Sequence, residues 1–109
     1  MVSKESLKEL VPFLRRVKKE FNQVHIILFG SRARNKAKKD SDYDILLISD
    51  SFKNVEFTER CMRAYNLRRD LPIAMDILCL TQEEYEVRSK KPTIIQEIAR
   101  EGKDITALV

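Results

Sequence analysis

The feature that most constrains how this chain folds lies between residues 24 and 48, where two apolar runs flank a basic segment. The first run ends abruptly at Gly30-Ser31, and the second opens with Asp42-Tyr43-Asp44. A strand followed by a glycine turn and a helix start presents unpaired backbone N–H groups, which form a phosphate site. Residues at i and i+2 of a strand project from one face, so Asp42 and Asp44 are expected to lie side by side. Neighbouring carboxylates repel each other unless a cation lies between them, and hard oxygen ligands suit Mg²⁺.

Each candidate residue also has an ordinary structural interpretation. Asp42 is typical of a turn before a strand, and for this residue that role and a metal-binding role stay equally open. Asp44 lies within an apolar strand, where aspartate is depleted, and Asp76 is likewise flanked by apolar residues on both sides. Because an unpaired buried charge is expensive, two such aspartates together favour a metal site. Without the downstream aspartates, Ser31 would be interpreted as a helix N-cap.

Gly30-Ser31, ten intervening residues (32–41) and then Asp42-Tyr43-Asp44 resemble the signature of the DNA polymerase β-like nucleotidyltransferase superfamily. The sequences Gly-Ser-Arg-Ala-Arg and Ser-Asp-Tyr-Asp are most similar to the motifs of the minimal nucleotidyltransferases, the MNT family. That family has a third carboxylate on a later strand, and Asp76 fits this place. Asn35 stands where these proteins often have glycine, and asparagine tolerates a left-handed conformation better than most residues.

The resemblance implies a nucleotidyltransferase fold with an active site built from these residues. Asp42 and Asp44 would bridge two Mg²⁺ ions, and Asp76 would complete the site of the ion that activates the acceptor hydroxyl. Asp76 would also accept the proton of that hydroxyl. Gly30 and Ser31 would hold the terminal phosphates of the nucleotide, since a Cβ at the glycine would block close approach.

The activity implied by the resemblance is transfer of AMP from ATP to an acceptor hydroxyl. Similar MNT proteins are antitoxins that act beside a separately encoded, helical HEPN toxin. A tyrosine hydroxyl on such a toxin is therefore the first expected acceptor, and an RNA end is the second. Two alternatives stay open: a non-catalytic antitoxin that neutralises its partner by contact, and a nucleotide-binding regulatory module. The oligomeric state is open as well, a homo-oligomer included.

Basic residues surround the motif and continue beyond it. Arg32 and Arg34 are candidates for binding the triphosphate or the acceptor. The other cations are interpreted as solvated: Lys36, Lys38 and Lys39 in a loop, and Arg60, Arg63, Arg68 and Arg69 on a helix surface.

The rest of the chain alternates helical and strand patterns, which predicts an α/β fold with a small mixed sheet backed by helices. An apolar stripe predicts an amphipathic helix over residues 3–21, with Pro12 either kinking it or marking a later start. Strands are predicted at 24–29, 43–49 and 73–80, and helices at 30–36, 55–69 with Asn54 as N-cap, 81–89 with a capping box, and 92–102 with Gly102 as C-cap. An edge strand within 103–109 is left undecided.

Composition sets broad limits. The 109 residues, 35% charged and 43% apolar, predict one globular domain, 1–109, that leaves no room to enclose a small-molecule acceptor. No apolar run reaches the length of a membrane span and no secretory signal opens the chain, so a cytoplasmic location is expected. Cys61 and Cys79 lack metal-like spacing and are expected to be buried and not disulfide-bonded. The net charge of +4 suits anionic ligands.

Overall fold

The computed structural model describes residues 6–34 and 42–109, in which a four-stranded sheet has helices on both faces. The strands are β1 (His25–Phe29), β2 (Tyr43–Ile48), β3 (Met75–Leu80) and β4 (Lys103–Asp104). The helices are α1 (Val11–Glu20), α2 (Gly30–Ala33), α3 (Phe57–Asn66), α4 (Gln82–Ser89) and α5 (Ile94–Glu101). Short 3₁₀ turns lie at Lys8–Leu10, Asp50–Phe52 and Thr106–Leu108.

The sheet is mixed, with the strand order β3-β2-β1-β4. Strand β1 runs antiparallel to β2 and to β4, whereas β2 and β3 are parallel. Parallel neighbours need a crossover connection, and α3 supplies it. The predicted α/β fold with a small mixed sheet is confirmed, and the undecided C-terminal segment adds β4 at one edge.

Strand β2 is apolar on both faces because helices cover both sides of the sheet. On one side Ile45 and Leu47 are fully buried in a core that includes residues of α1 and α3. On the other side Leu46 and Ile48 pack in a smaller cluster with residues of α5. Alternation places Asp44 on this second side, where it is half-buried. The second side is therefore apolar at one end of β2 and carries a carboxylate at the other.

Pro12 marks a later helix start and not a kink. Helix α1 begins at Val11, directly after the turn Lys8–Leu10, and Pro12 lies in its first turn. A proline is tolerated there because the missing N–H would have no intrahelical acceptor in any case. Phe13, Leu14 and Val17 then enter the core.

Helix α3 starts later than predicted, and Asn54 as its N-cap is wrong. The N-cap is Glu56, and Asn54 has a left-handed φ of 62°. The connection from β2 is a 3₁₀ turn whose first N–H groups are capped by the Ser49 hydroxyl, which accepts from the backbone of Ser51. Asn54 therefore occupies a left-handed turn position in the loop before α3 and does not cap the helix.

The two C-terminal helices, α4 and α5, agree better with the sequence-based prediction than α3 does. The capping box between Thr81 and Glu84 is present at the start of α4. Helix α5 has Thr93 as its N-cap, so Pro92 precedes the helix instead of lying in its first turn. Within this helix Ile95 and Ile98 are buried, while Ile94 and Ala99 are exposed.

Some predictions concern residues 35–41, which lie outside the described residues. These are the basic loop with Lys36, Lys38 and Lys39, and the asparagine at position 35 in place of glycine. The helix predicted over 30–36 is shorter than expected, since α2 ends at Ala33. None of the helices in the described ranges is both long and apolar enough to cross a membrane.

Burial was predicted for both cysteines and is observed for one of them. Cys79 is buried and Cys61 is half-buried, and both are free thiols. Burial, with a smaller effect of Cys61, raises the pKa of the Cys79 thiol to about 12. The Cys79 side chain is therefore a protonated, unreactive member of the core.

Arg60, predicted to lie on a helix surface, is buried. Its guanidinium donates two hydrogen bonds to the Glu84 carboxylate, at 2.7 and 3.3 Å, and others to the carbonyls of Val55 and Cys79. Its guanidinium carbon also lies 4.4 Å from the ring centroid of Phe57. Arg60 therefore ties α3 to β3 and α4, a role that helical periodicity does not reveal because the partners are distant in sequence.

We predict that Glu84→Gln destabilises the protein by about 3 kcal/mol near neutral pH, because it leaves the Arg60 charge buried without a counter-ion. Burial opposes ionisation of Glu84, but hydrogen bonds from Arg60 and the Thr81 backbone outweigh it and lower the pKa of the carboxyl below its ordinary 4.5. A lowered pKa gives stability that is present above the unfolded-state pKa and is lost as the pH falls through the folded-state pKa. In urea unfolding, the difference between wild type and variant should therefore shrink below about pH 4.5.

Glu83→Gln is the matched control, since it removes the same charge from an exposed neighbour in the first turn of α4. Its effect should stay within about 1 kcal/mol, the range of a charge interacting with the helix dipole. A Glu84→Gln variant as stable as Glu83→Gln at pH 7 would contradict the assigned role of the ion pair.

Candidate active site

The close approach of Gly30 to Asp44 is the central geometric feature of the site. Gly30 directly follows β1, opens α2 and has a left-handed φ of 72°. A Cβ built on this residue would overlap the Asp44 carboxylate. The approach arises because Phe29, the last residue of β1, is the register partner of Asp44. Glycine is therefore required here both for backbone conformation and for space.

The structure brings Asp76 beside Asp44. The two residues are register partners on the parallel strands β2 and β3, so their side chains project from the same face of the sheet. Asp42 lies immediately before β2 and is exposed, as Asp76 is. Burial, followed by the charges of Asp76 and Asp42, raises the pKa of the Asp44 carboxyl, and Arg34 partly opposes this. The three aspartates thus share one electrostatic environment.

The donor chemistry of this group fits a divalent cation. The donors are hard carboxylate oxygens, and the repulsion that raises the pKa of Asp44 is what a cation among them would relieve. Within residues 6–34 and 42–109, no three His, Cys, Asp or Glu side chains are grouped closely enough to hold a metal ion as they stand. Asp42 and Asp76 are exposed, so little packing opposes a rotation of either side chain toward Asp44.

Ser31 is the second residue of α2 and is not its N-cap. Phe29 occupies the cap position, and no side chain caps the helix. The ordinary interpretation of Ser31 as a helix cap is therefore excluded. The first N–H groups of a helix have no intrahelical acceptor, and those of α2 follow directly on the glycine that approaches Asp44.

A cavity of about 290 Å³ lies beside Asp44, between α2 and α5. Arg34 lines it and forms a 3.7 Å ion pair with Glu101 of α5. Glu97, one helical turn before Glu101, lines the same wall. The remaining wall is mainly apolar, from Phe29, Ala33, Ile94 and Ile98. The cavity therefore has one cationic side chain and three carboxylates among its described lining residues.

Arg32 and Arg34, which sequence reasoning grouped together, lie in different places. Arg34 lines the cavity with Asp44, whereas the guanidinium carbon of Arg32 lies 4.2 Å from the ring centroid of Tyr43. The Tyr43 side chain points to the opposite face of β2 from Asp44 and is only 1% exposed. Of these two arginines, Arg34 is the one whose charge lowers the pKa of Asp44.

Tyr43 itself was not singled out from the sequence. Its hydroxyl donates a 2.6 Å hydrogen bond to the Glu9 carboxylate, in the turn before α1. Burial, reinforced by this hydrogen bond, raises the pKa of the Tyr43 hydroxyl to about 12. No local pattern connects residues 34 positions apart. For Glu97 and Glu101 a signal did exist, because they lie four residues apart next to the apolar stripe of α5.

We predict that Gly30→Ala lowers stability by about 1–2 kcal/mol, the cost of a left-handed conformation for a residue with a Cβ. The variant should also lose Mg²⁺–nucleotide binding, because the new methyl group displaces the Asp44 carboxylate. Chemical unfolding and calorimetric titration measure the two effects separately.

Gly102→Ala provides the control. A Cβ at Gly102 would lie 2.5 Å from the Ile98 carbonyl oxygen and 2.6 Å from the Ile27 Cγ2, so this variant is also destabilised. The nearest atoms to this Cβ belong to Ile98 and Ile27 and to no aspartate, so the variant should lose much less nucleotide affinity than Gly30→Ala, although Ile98 lines the cavity. Equal affinities of the Gly30 and Gly102 variants would refute the special role of Gly30.

Comparison with known proteins identifies the family of this chain. The family described as nucleotidyltransferase domain matches residues 10–105. A protein of Haemophilus influenzae named "Probable protein adenylyltransferase MntA" is 36% identical over 83 residues, which cover 73% of this chain and 72% of that protein.

Solved structures show the same fold. A Sulfolobus solfataricus protein provisionally described as a nucleotidyltransferase has a TM-score of 0.62 at 26% identity, covering 76% of this chain and 73% of its own. A toxin–antitoxin structure with AMP-PNP has a TM-score of 0.57 at 19% identity, covering 90% of this chain and 70% of its own, and supports the fold alone. The chain therefore belongs to the nucleotidyltransferase domain family and is a nucleotidyltransferase.

Proposed function

We propose that this protein transfers AMP from ATP to a hydroxyl group on a partner protein, in a reaction that depends on a divalent metal. The observation that carries the proposal is the register of Asp44 with Asp76, directly beside the glycine turn that approaches Asp44. The named activity of the Haemophilus influenzae relative, a protein adenylyltransferase, supports the choice of AMP and of a protein acceptor.

The glycine turn would bind the nucleotide by its terminal phosphates. Gly30 lets the backbone approach closely, and the N–H groups at the start of α2 with the Ser31 hydroxyl would donate to phosphate oxygens. Arg34 lines the adjoining cavity and would add a positive charge, which requires it to leave its ion pair with Glu101. Arg32 lies on the other side of β2, so its contribution to phosphate binding would be indirect.

Asp42, Asp44 and Asp76 would hold the metal, with two Mg²⁺ ions as the proposed number. When bound, such ions act as Lewis acids that neutralise charge on the reacting phosphate and lower the pKa of the acceptor hydroxyl. Asp76, exposed on the edge strand β3, would accept the hydroxyl proton. The acceptor oxygen then forms a bond to the α-phosphorus, and the bond to the leaving pyrophosphate breaks. The products are the adenylylated acceptor and pyrophosphate.

The acceptor is proposed to be carried by another macromolecule. The cavity beside Asp44 measures about 290 Å³, near the lower limit for a site that encloses one small ligand. A nucleotide would fill it, and Asp42 and Asp76 lie exposed beside it. A tyrosine hydroxyl of a HEPN-type toxin is the first candidate acceptor, and the structural likeness to a toxin–antitoxin protein is compatible with this choice.

We predict an AMP-sized mass gain on the partner when the purified protein, ATP, Mg²⁺ and the product of the neighbouring gene are mixed. Intact-mass spectrometry measures the gain, which should vanish in Asp44→Asn because the metal loses its half-buried ligand. Asp70→Asn is the matched control, since it alters an exposed aspartate that pairs with Arg16 away from the site. If AMP is transferred to added RNA and not to the partner protein, the acceptor is an RNA end. Absence of transfer to either, with nucleotide binding intact, would indicate a contact-only antitoxin or a regulatory module.

We also predict that Ser31→Ala weakens binding of the Mg²⁺–nucleotide complex by ~1.5–3 kcal/mol, the worth of one hydrogen bond to a charged group. Isothermal titration with a non-hydrolysable ATP analogue measures the change. Ser89→Ala, which removes a serine hydroxyl bonded to the Glu86 carbonyl at the far end of α4, should bind as the wild type does. An unchanged affinity of Ser31→Ala would remove this residue from the phosphate site.

A further inference from the structure

We propose that Tyr43 is a positioning residue that couples the phosphate-binding turn to the aspartates, and that Glu9 acts through it. The inference rests on the proposed function of the site and deepens it. The juxtaposition that carries it is a single buried ring held from two sides: its hydroxyl bonds the Glu9 carboxylate, and its face lies against the Arg32 guanidinium.

The location of Tyr43 in the strand explains why an anchor is needed. Tyr43 is the first residue of β2, and the ladder between β1 and β2 ends one residue later, at the pair Phe29–Asp44. On the other side, the Tyr43 N–H donates to the Ala74 carbonyl at 3.0 Å. The end of a strand frays most easily, and Asp42 and Asp44 flank this residue directly.

A fixed Tyr43 side chain determines where its neighbours point. Successive side chains of a strand project to opposite faces, so a ring held in the core directs Asp44 to the other face. Rotation of the strand end about its axis would break the 2.6 Å bond to Glu9 and move Asp44 away from Gly30. The anchor therefore restricts the motion that would spoil the carboxylate arrangement.

Arg32 extends the coupling to the phosphate-binding turn. It lies in α2, two residues after Gly30, and its guanidinium carbon is 4.2 Å from the Tyr43 ring centroid. A cation over an aromatic face is attracted to the ring, more strongly where water is excluded. Tyr43 thus contacts the helix that would hold the phosphates and belongs to the strand that would hold the metal.

Filling the core would not require a hydroxyl at this position. A buried hydroxyl loses its hydration, and among the described residues the Glu9 carboxylate, from outside the motif, offsets this loss. Phenylalanine would fill nearly the same volume without that cost. Glu9 is an exposed residue of the turn Lys8–Leu10, so the hydrogen bond joins the N-terminal segment to the strand end that bears the aspartates.

The test measures Mn²⁺ affinity in the presence of a non-hydrolysable ATP analogue, by calorimetry, alongside kcat and KM for ATP. Tyr43→Phe keeps the ring and removes the hydroxyl, while Glu9→Ala removes the acceptor. Each should weaken Mn²⁺ binding by about 10-fold, as the loss of a supporting contact behind a metal ligand does. The kcat should fall by a similar factor with little change in KM.

Three further variants separate positioning from general stability. Glu9→Gln should restore wild-type Mn²⁺ affinity, because the amide oxygen accepts the same hydrogen bond. The double variant Tyr43→Phe/Glu9→Ala should be no worse than either single variant, since one interaction is removed only once. Asp70→Ala breaks the exposed ion pair with Arg16 and should lower stability without changing Mn²⁺ affinity.

Wild-type Mn²⁺ affinity and kcat in Tyr43→Phe, with both lost in Asp44→Asn, would overturn the proposal and leave Tyr43 as a core residue only. Additive effects in the double variant would overturn it as well. If the wild type binds Mn²⁺ and nucleotide but transfers AMP to no acceptor, the proposed activity fails, and the affinities still decide the role of Tyr43. Absence of Mn²⁺ binding in the wild type would overturn both.

Discussion

The approach of the Gly30 backbone to the Asp44 carboxylate is the constraint on which the rest of the site depends. It requires a residue without a Cβ at a left-handed φ, and it requires β1 and β2 to end in the observed register. The register in turn depends on the position of Asp44 among apolar residues, because a slip by one residue would move Asp44 to the opposite face of β2, into the larger core. Core packing and site geometry are thus fixed by the same strand pairing.

The same face of the sheet serves two purposes at its two ends. At one end Leu46 and Ile48 are covered by α5 and contribute to the core. At the other end Asp44 and Asp76 lie side by side, and their repulsion, added to the burial of Asp44, raises the pKa of its carboxyl. Like charges held together in this way cost stability in the empty protein, and a cation bound among them would offset that cost.

The sequence allowed the local features to be predicted, because local features depend on spacing. Three such features depend on residues within a few positions of one another. They are the glycine turn after β1, the capping box at Thr81 and the face of β2 on which Asp44 lies. Spacing alone does not predict the pairing of Asp44 with Asp76, because this pairing depends on β3 lying parallel to β2. The family resemblance, which includes a third carboxylate on a later strand, pointed to Asp76. Asn54 was misplaced because a turn and a helix cap favour the same residue types.

Features that depend on side chains distant in sequence were missed. Arg60 resembles a surface residue in the helical pattern, yet its partners come from β3 and α4. Glu9 and Tyr43 meet only because the turn before α1 packs against the start of β2. Such contacts carry no local signal, and each is a polar group that must find its partner when buried.

These long-range polar contacts involve the strands that carry the aspartates. One reason is that β3 lies at the edge of the sheet, where its outer backbone groups need side-chain partners. Strand β3 lies at the edge of the sheet, and no strand of the described ranges pairs with its outer side. The Tyr65 hydroxyl accepts from the Ile77 N–H at 2.9 Å, and Arg68 donates to the Ile73 carbonyl just before the strand. Side chains of α3 and the residues after it thus replace the missing ladder next to Asp76. An edge capped in this way resists pairing with other chains while its carboxylate stays accessible. Side chains of α3 and of the residues after it thus stabilise the outer edge of the sheet and leave Asp76 exposed, as the proposed macromolecular acceptor would require.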